Sequence, residues 1–171
     1  MAKILIAFIS VTAAVIFLCT ATTANTAGAA KEIKREGRFI AHDDGTLLDT
    51  KTSLMWAAKD NGYNIDWLEA KKYCESFRLG GFTDWRMPTI KELETLYDSS
   101  STGFKTQCSG YPTYVKTFFN ERLSCPWLWA SDYDGSNHAE TGFFCFTNGE
   151  WYSQHKFVSR FFRVLPVRSG K

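Results

Sequence analysis

Charge of one sign is scarce in this chain. Its 20 lysines and arginines nearly balance 18 acidic residues, for a net charge of +2. Composition therefore gives no argument for nucleic-acid binding, which shows as a strongly basic face. The five cysteines contain no C-x2-C pair, which argues against a zinc site. No Gly-x-Ser-x-Gly elbow is present to carry a serine nucleophile. The three histidines, His42, His138 and His155, fall in expected turns or at strand ends, where a solvated ring is ordinary. Asp43, Asp44 and Asp49 gather near one expected hairpin, and Asp132 and Asp134 near a later turn. Calcium needs six to eight oxygens about one point, and carboxylates so placed ordinarily cap turns. No metal or other cofactor is expected. Internal repeats and low-complexity stretches are also missing, apart from the first thirty residues.

Those first residues are distinctive. Lys3 is their only charge, and an apolar run from Ile4 to Leu18 is interrupted only by Ser10 and Thr12. Small and polar residues follow to Ala30. A basic tip, an apolar stretch and a small-residue exit are the three parts of a secretory signal. As a helix the run spans roughly 22 Å, short of the ~30 Å hydrocarbon core of a bilayer. Cleavage is expected after Ala24, with Ala29 the second choice; an uncleaved anchor is the alternative. A lipid anchor at Cys19 is disfavoured by Leu18, where a small residue is wanted. The destination is then extracytoplasmic, periplasmic or secreted, in a bacterial envelope, with no stable membrane span after cleavage. About 145 residues remain, enough for one domain with a real core.

Cysteine usage agrees with export. Cys74, Cys108, Cys125 and Cys145 remain after cleavage, and an even number in a secreted chain reads as two disulfides. Spacing alone leaves three connectivities open. The expected pairs are Cys108–Cys125, across a segment rich in Gly, Pro, Ser and Tyr without clear periodicity, and Cys74–Cys145, tying a helix to a late strand.

Residues 25–37 read as a tether, ending in the charged KEIKREG. Short strands follow: RFIAH, the turn signal Asp44-Gly45, TLLD, a polar turn at 50–52, and SLMWAA with Met55 and Trp56 as core residues. Asp66, three residues before Glu69, starts a helix whose apolar face carries Trp67, Ala70, Cys74 and Phe77, with Gly80-Gly81 as its stop. Thr89 and Glu92 begin a second helix, striped by Ile90, Leu93 and Leu96 or Tyr97. The last third reads as four strands, near 127–131, 141–146, 151–154 and 160–168, with Asn148-Gly149 as a hairpin turn and Pro166 marking the last as irregular. Strands, helices, a long loop and strands again predict an α+β domain over 38–168, with 169–171 as a tail.

Four stretches, DGTLLDTKTSLMW (44–56), WLEAKKYC (67–74), LGGFTDWRMPTIKELETLYD (79–98) and FRVLPVR (162–168), together resemble the Lcl C-terminal domain family. The resemblance covers roughly 38–168 in the family's order. It implies a C-type-lectin-like fold, more distantly similar to the formylglycine-generating enzyme. That means an antiparallel sheet with two helices, chain ends close together and an irregular loop region before the last strands. Most members have no assigned activity. The adhesin that gives the family its name binds sulfated glycans, but this chain lacks its collagen-like Gly-X-Y region and the avidity of a trimer. The Glu-Pro-Asn and Trp-Asn-Asp tripeptides of calcium-dependent sugar-binding lectins are also missing.

Function is then expected to be non-catalytic binding of a glycan or an envelope or surface protein, without nucleic acid. The alternatives are an exported enzyme related to the formylglycine-generating fold and a structural subunit of an envelope assembly. In the DWR segment, Trp85 is expected in the core, with Asp84 or Arg86 tying a loop to a strand; Arg163 is expected partly buried and paired. Arg160, Lys156 and Arg168 could form a basic face. The stronger candidate surface is aromatic and polar together: Trp129, Tyr133, Asp134, Asn137, Trp151, Tyr152, His155 and Lys156, on the late strands and their loops. Tyr and Trp supply contact area at low entropic cost. Strand parity sets Trp127 and Trp129 on one face and Leu128 and Ala130 on the other, which predicts partly exposed tryptophans.

Overall fold

The computed structural model describes residues 30–117, 122–132 and 139–170. The expected signal segment, its cleavage sites and the start of the tether lie outside them. Among the described residues no helix is long and apolar enough to cross a membrane.

The domain is α+β. β1 (Glu32–Glu36), β2 (Phe39–His42), β3 (Thr46–Asp49) and β4 (Leu54–Ala57) form an antiparallel meander, closed on its far side by β11 (Val167–Ser169) against β4. The tether reading needs correcting here: Glu32–Glu36, though wholly exposed, pairs with β2 as an edge strand. Ser169, assigned to the tail, pairs with Leu54. The expected β2–β3 turn is present; Asp44 accepts the Thr46 amide at 2.9 Å and its hydroxyl at 2.7 Å. The first and last strands share a sheet but stand at its opposite edges, rather than side by side.

Both helices start where their caps predict. Asp66 accepts the Glu69 amide and opens α1 (Trp67–Ser76); Thr89 and Glu92 form a full capping box on α2 (Ile90–Glu94). α1 ends at Ser76, four residues before Gly80, and is capped by Phe77, whose amide returns to the Cys74 carbonyl. Gly80 and Gly81 instead turn a tight Leu79–Phe82 bridge. A Cβ on Gly80 would stand 2.6 Å from an Asp44 carboxylate oxygen and 2.8 Å from the Thr46 methyl. Only glycine lets this turn seat on the β2–β3 hairpin.

Sequence periodicity missed one element. β5 (Phe104–Cys108) and β6 (Tyr111–Val115) form a two-residue hairpin through Ser109-Gly110, both at positive φ, as a type I′ turn requires. A bond between Cys108 and Cys125 staples the hairpin to the segment before β7 (Trp127–Trp129), as expected from the turn-rich composition of the segment between them. Its sequence separation of 17 corresponds to about 3 kcal/mol of denatured-state entropy. Replacing both cysteines by alanine is expected to lower unfolding free energy by about that amount, measured by urea titration against the oxidised parent.

The second sheet has the order β10-β7-β8-β9, from β10 (Phe162–Arg163), β8 (Glu140–Cys145) and β9 (Glu150–His155). The single strand expected over 160–168 is therefore two. β10 runs parallel to β7 in one sheet, and β11 joins the other, with Pro166 in the link. Pro166 lacks a ladder N–H, so the break falls where the chain changes sheets. The second sheet separates two cores. Leu128, Ala130, Phe144 and Phe146 pack with Trp56, Leu93 and Val167; Trp129, Phe143 and Cys145 pack with Ala70 and Cys74 of α1. β9, the outer strand, lies beyond both and is exposed along nearly its whole length.

Candidate functional site

β9 presents the largest part of the expected surface. Trp151 is 53% exposed and Tyr152 44%. Alternation places Trp151, Ser153 and His155 on one face and Glu150, Tyr152 and Gln154 on the other. On the first face the Ser153 hydroxyl donates to Glu140 at 3.1 Å, and Glu140 stands opposite His155 in the β8 register. An indole, a hydroxyl, a carboxylate and an imidazole thus share one strip. On the second face Tyr152 stacks on Phe143 at 5.6 Å and accepts a hydrogen bond from the Asn148 amide at 2.7 Å. Its ring is held while its edge stays in water. Phe157, 60% exposed, extends the surface past the strand, with the His155 ring 5.3 Å away and the Lys156 ammonium 5.5 Å from its centroid. Phe157 was not among the expected residues. Its signal was its place beside His155 and Lys156, just past the aromatic strand.

The turn into β9 is built tightly. A Cβ on Gly149 would fall 2.4 Å from the Tyr97 ring. The Asn148-Gly149 turn can therefore lie flat on Tyr97, and Tyr97 packs in turn on Phe144. That contact sets where the strand leaves the core.

Trp129 does not belong to this surface. It is fully buried, stacks on Phe162 at 4.0 Å and donates its indole N–H to the Ile65 carbonyl at 2.9 Å. Trp127 is half-buried against Phe161 and Phe162. Strand parity does not leave Trp129 exposed, because β7 is an inner strand covered on both faces, and such strands are apolar on both; Trp127 alone stays partly exposed. Tyr133, Asp134 and Asn137 lie outside the described residues.

The cysteines also need correcting. Cys74 and Cys145 are buried free thiols in one apolar cluster, not a second disulfide. Burial pushes the Cys74 thiol up to about 12, which leaves it protonated and a poor nucleophile at neutral pH. Cys145 sulfur accepts the Trp127 indole N–H at 3.2 Å.

The arginines are structural. Arg168, buried, pairs with Asp84 at 2.7 Å and lies 3.8 Å over the Phe82 ring; the hydrogen bond from Arg168 holds the Asp84 carboxyl below its usual range. Arg168 is thereby removed from any basic face with Arg160 and Lys156. Arg160 itself stacks on Phe161 and Tyr111, at 4.8 and 5.5 Å. Trp85 is in the core, as expected, and Arg86 forms a two-pronged pair with Glu92 at 2.8 and 2.5 Å. Arg163 is buried, donating to Ser124 at 3.0 Å and Asn64 at 2.6 Å. Ser124 in turn bonds Asp60 through both its amide and its hydroxyl. Burial pushes the Asp60 carboxyl up, against the pull of those hydrogen bonds and of the Arg163 charge. Asp60, Asn64 and Ser124 gave no sequence signal, since each sits in an irregular segment and meets Arg163 only through the fold.

Of the aspartates raised as calcium candidates, Asp134 lies outside the described residues, and Asp43, Asp44, Asp49 and Asp132 are occupied as turn and cap acceptors. Asp49 takes the Lys51 amide and the Thr52 hydroxyl, Asp43 the Lys31 amide, and Asp132 the Ile90 amide. Among the described residues no three His, Cys, Asp or Glu converge as a metal cluster. A cleft of about 400 Å³ opens between α1 and the start of α2, lined by Trp67, Lys71, Glu75, Arg86, Met87, Thr89 and Ser131. Its Trp67 indole is committed to the Ala130 carbonyl at 2.7 Å and its Arg86 to Glu92.

The sequence stretches that carry the family resemblance prove to be mutual docking surfaces. Gly80 sits on Asp44 and Thr46, Asp84 meets Arg168, and the Arg86 backbone pairs with Val167 through hydrogen bonds of 2.9 and 3.0 Å. A comparison with curated proteins returned no match. The family model described as the Lcl C-terminal domain matches residues 45–168, from the β2–β3 turn into the last strand. The chain belongs to the Lcl C-terminal domain family.

Proposed function

We propose that this protein is an exported, non-catalytic binding module, with a C-type-lectin-like arrangement, that recognises glycans or cell-envelope and surface partners through β9 and the loop after it. One observation carries the reading: Trp151 presents an open indole in a strip that also holds Ser153, His155 and Glu140. An apolar plate ringed by hydroxyl, carboxylate and imidazole groups suits a sugar ring, which has both an apolar face and a rim of hydroxyls. Export is supported by the basic, apolar and small-residue order of the first thirty residues and by the Cys108–Cys125 bond, which needs an oxidising compartment to persist. A non-catalytic role is supported by the buried, protonated Cys74 and by arginines committed to carboxylates or aromatic rings.

Trp151→Ala tests the surface. It is expected to abolish glycan-array signals of the parent while costing about 1 kcal/mol or less, as an exposed substitution should. Stability loss of ~3–5 kcal/mol in denaturant unfolding, the range for core aromatics, would place Trp151 in the packing and move the site elsewhere. Unchanged array signals would do the same.

A further inference from the structure

We infer that the β9 strip selects neutral sugars by the protons of their hydroxyls and rejects sulfated or carboxylated ones; the inference rests on the glycan reading above. Four side chains make the strip. Trp151, Ser153 and His155 alternate to one face of β9, and Glu140 joins them from β8, where it stands opposite His155. The Ser153 hydroxyl donates to a Glu140 carboxylate oxygen at 3.1 Å, which puts both groups on that face. Gly142 stands opposite Ser153, and Ile90 closes over it, 3.2 Å from where a Cβ would be. The hydroxyl and the carboxylate therefore sit beside apolar ground on one side and the open Trp151 indole on the other.

The hydrogen-bonding sense of these groups is set by their own contacts. Ser153 spends its proton on Glu140, which leaves the hydroxyl oxygen as an acceptor. A carboxylate accepts at both oxygens and donates at neither. The Phe157 amide donates to His155 Nδ1 at 3.4 Å, so the ring carries its outward proton on Nε2. Trp151 and His155 thus supply one ring N–H each, from opposite ends of the strip. Between the two rings, Ser153 with Glu140 only accepts.

That middle decides between sugars. Same-face neighbours on a strand stand about 7 Å apart, so a ring laid on Trp151 brings its rim to Ser153 and Glu140. A free hydroxyl can donate there. A sulfate ester or a uronate carboxylate has no proton to give, and it sets a second negative charge beside Glu140. Among the described residues, the strip holds no lysine or arginine to offset that repulsion. Lys156 follows the end of β9, with its ammonium 5.5 Å from the Phe157 ring centroid.

Paired glycan arrays, followed by calorimetric titration, test the selection: neutral hexose oligosaccharides beside the same oligosaccharides after chemical sulfation. The parent is expected to bind its best neutral member about tenfold or more tightly than the sulfated counterpart. Glu140→Gln keeps the shape, removes the charge and turns one acceptor into a donor. It is expected to weaken the neutral sugar about tenfold and to close most of the gap. Raising the salt concentration is expected to narrow the gap in the parent itself, by screening the repulsion at Glu140. That measurement decides the matter even if Glu140→Gln fails to fold. Sulfated binding that equals or exceeds neutral binding, and is lost in Trp151→Ala, overturns this inference and leaves the glycan reading standing. So does a neutral preference that salt or a folded Glu140→Gln variant leaves unchanged. A parent that binds neither set, or binding that survives Trp151→Ala, overturns both.

Discussion

Trp129→Ala is expected to cost about 3–5 kcal/mol in unfolding free energy, the range for a large aromatic removed from a packed core. Trp129 is wholly buried, stacked on Phe162 and set edge-on to Phe143. Its removal opens a cavity between α1 and the second sheet and leaves the Ile65 carbonyl without its donor. Trp151 is twenty-two residues away in sequence and two strands away in the same sheet, and the same substitution there is expected to cost several-fold less. Urea unfolding of the two variants with the disulfide intact measures the difference. Equal losses would contradict the division of the late aromatics between core and surface.

Arg163→Met is expected to be comparably damaging at pH 7, about 3–5 kcal/mol, because it strands a buried carboxylate. The methionine retains most of the volume but none of the donors. Asp60 then loses its neighbouring cation, and Ser124 and Asn64 lose the guanidinium N–H groups they accept. The pH dependence has a definite sign. Burial already holds the Asp60 carboxyl above its ordinary value, and without Arg163 it rises further. A carboxyl raised in the folded state above its unfolded value near 3.9 binds a proton that the unfolded chain does not. Its stability contribution is therefore lost as pH rises through that window and regained as pH falls. The variant's deficit is expected to be larger at pH 7 than near pH 4.5. A deficit that instead grows on acidification would mean that Asp60 is not the group left stranded.

These two residues also mark how far local reasoning reaches. Arg163 was legible as a buried, paired residue, since a charged side chain alternates there with Phe161 and Leu165. Its partners were not. Asn64 is 99 positions away and Ser124 is 39, and no spacing rule joins them. Trp129 and Trp151 look alike in sequence, each in a short aromatic strand. What separates them is strand order: among the described residues β7 is flanked by β10 and β8, and β9 has β8 alone. A hydrophobic pattern records which faces could be buried, not which strands lie inside a sheet.

The sequence by itself determined the local events. Caps at Asp66 and Thr89, turns at Asp44-Gly45 and Asn148-Gly149, and the Cys108–Cys125 staple all follow from residues close together, acting through backbone hydrogen bonds, turn chemistry or a short covalent loop. The family was legible too, because its four stretches keep their order along the chain. Only the tertiary structure decided that residues 162–169 cross between two sheets, that Cys74 and Cys145 remain thiols in one apolar cluster, and that β9 is the outer described strand of its sheet. Each depends on which surfaces meet, and burial is a property of the assembled pair of surfaces rather than of either segment alone.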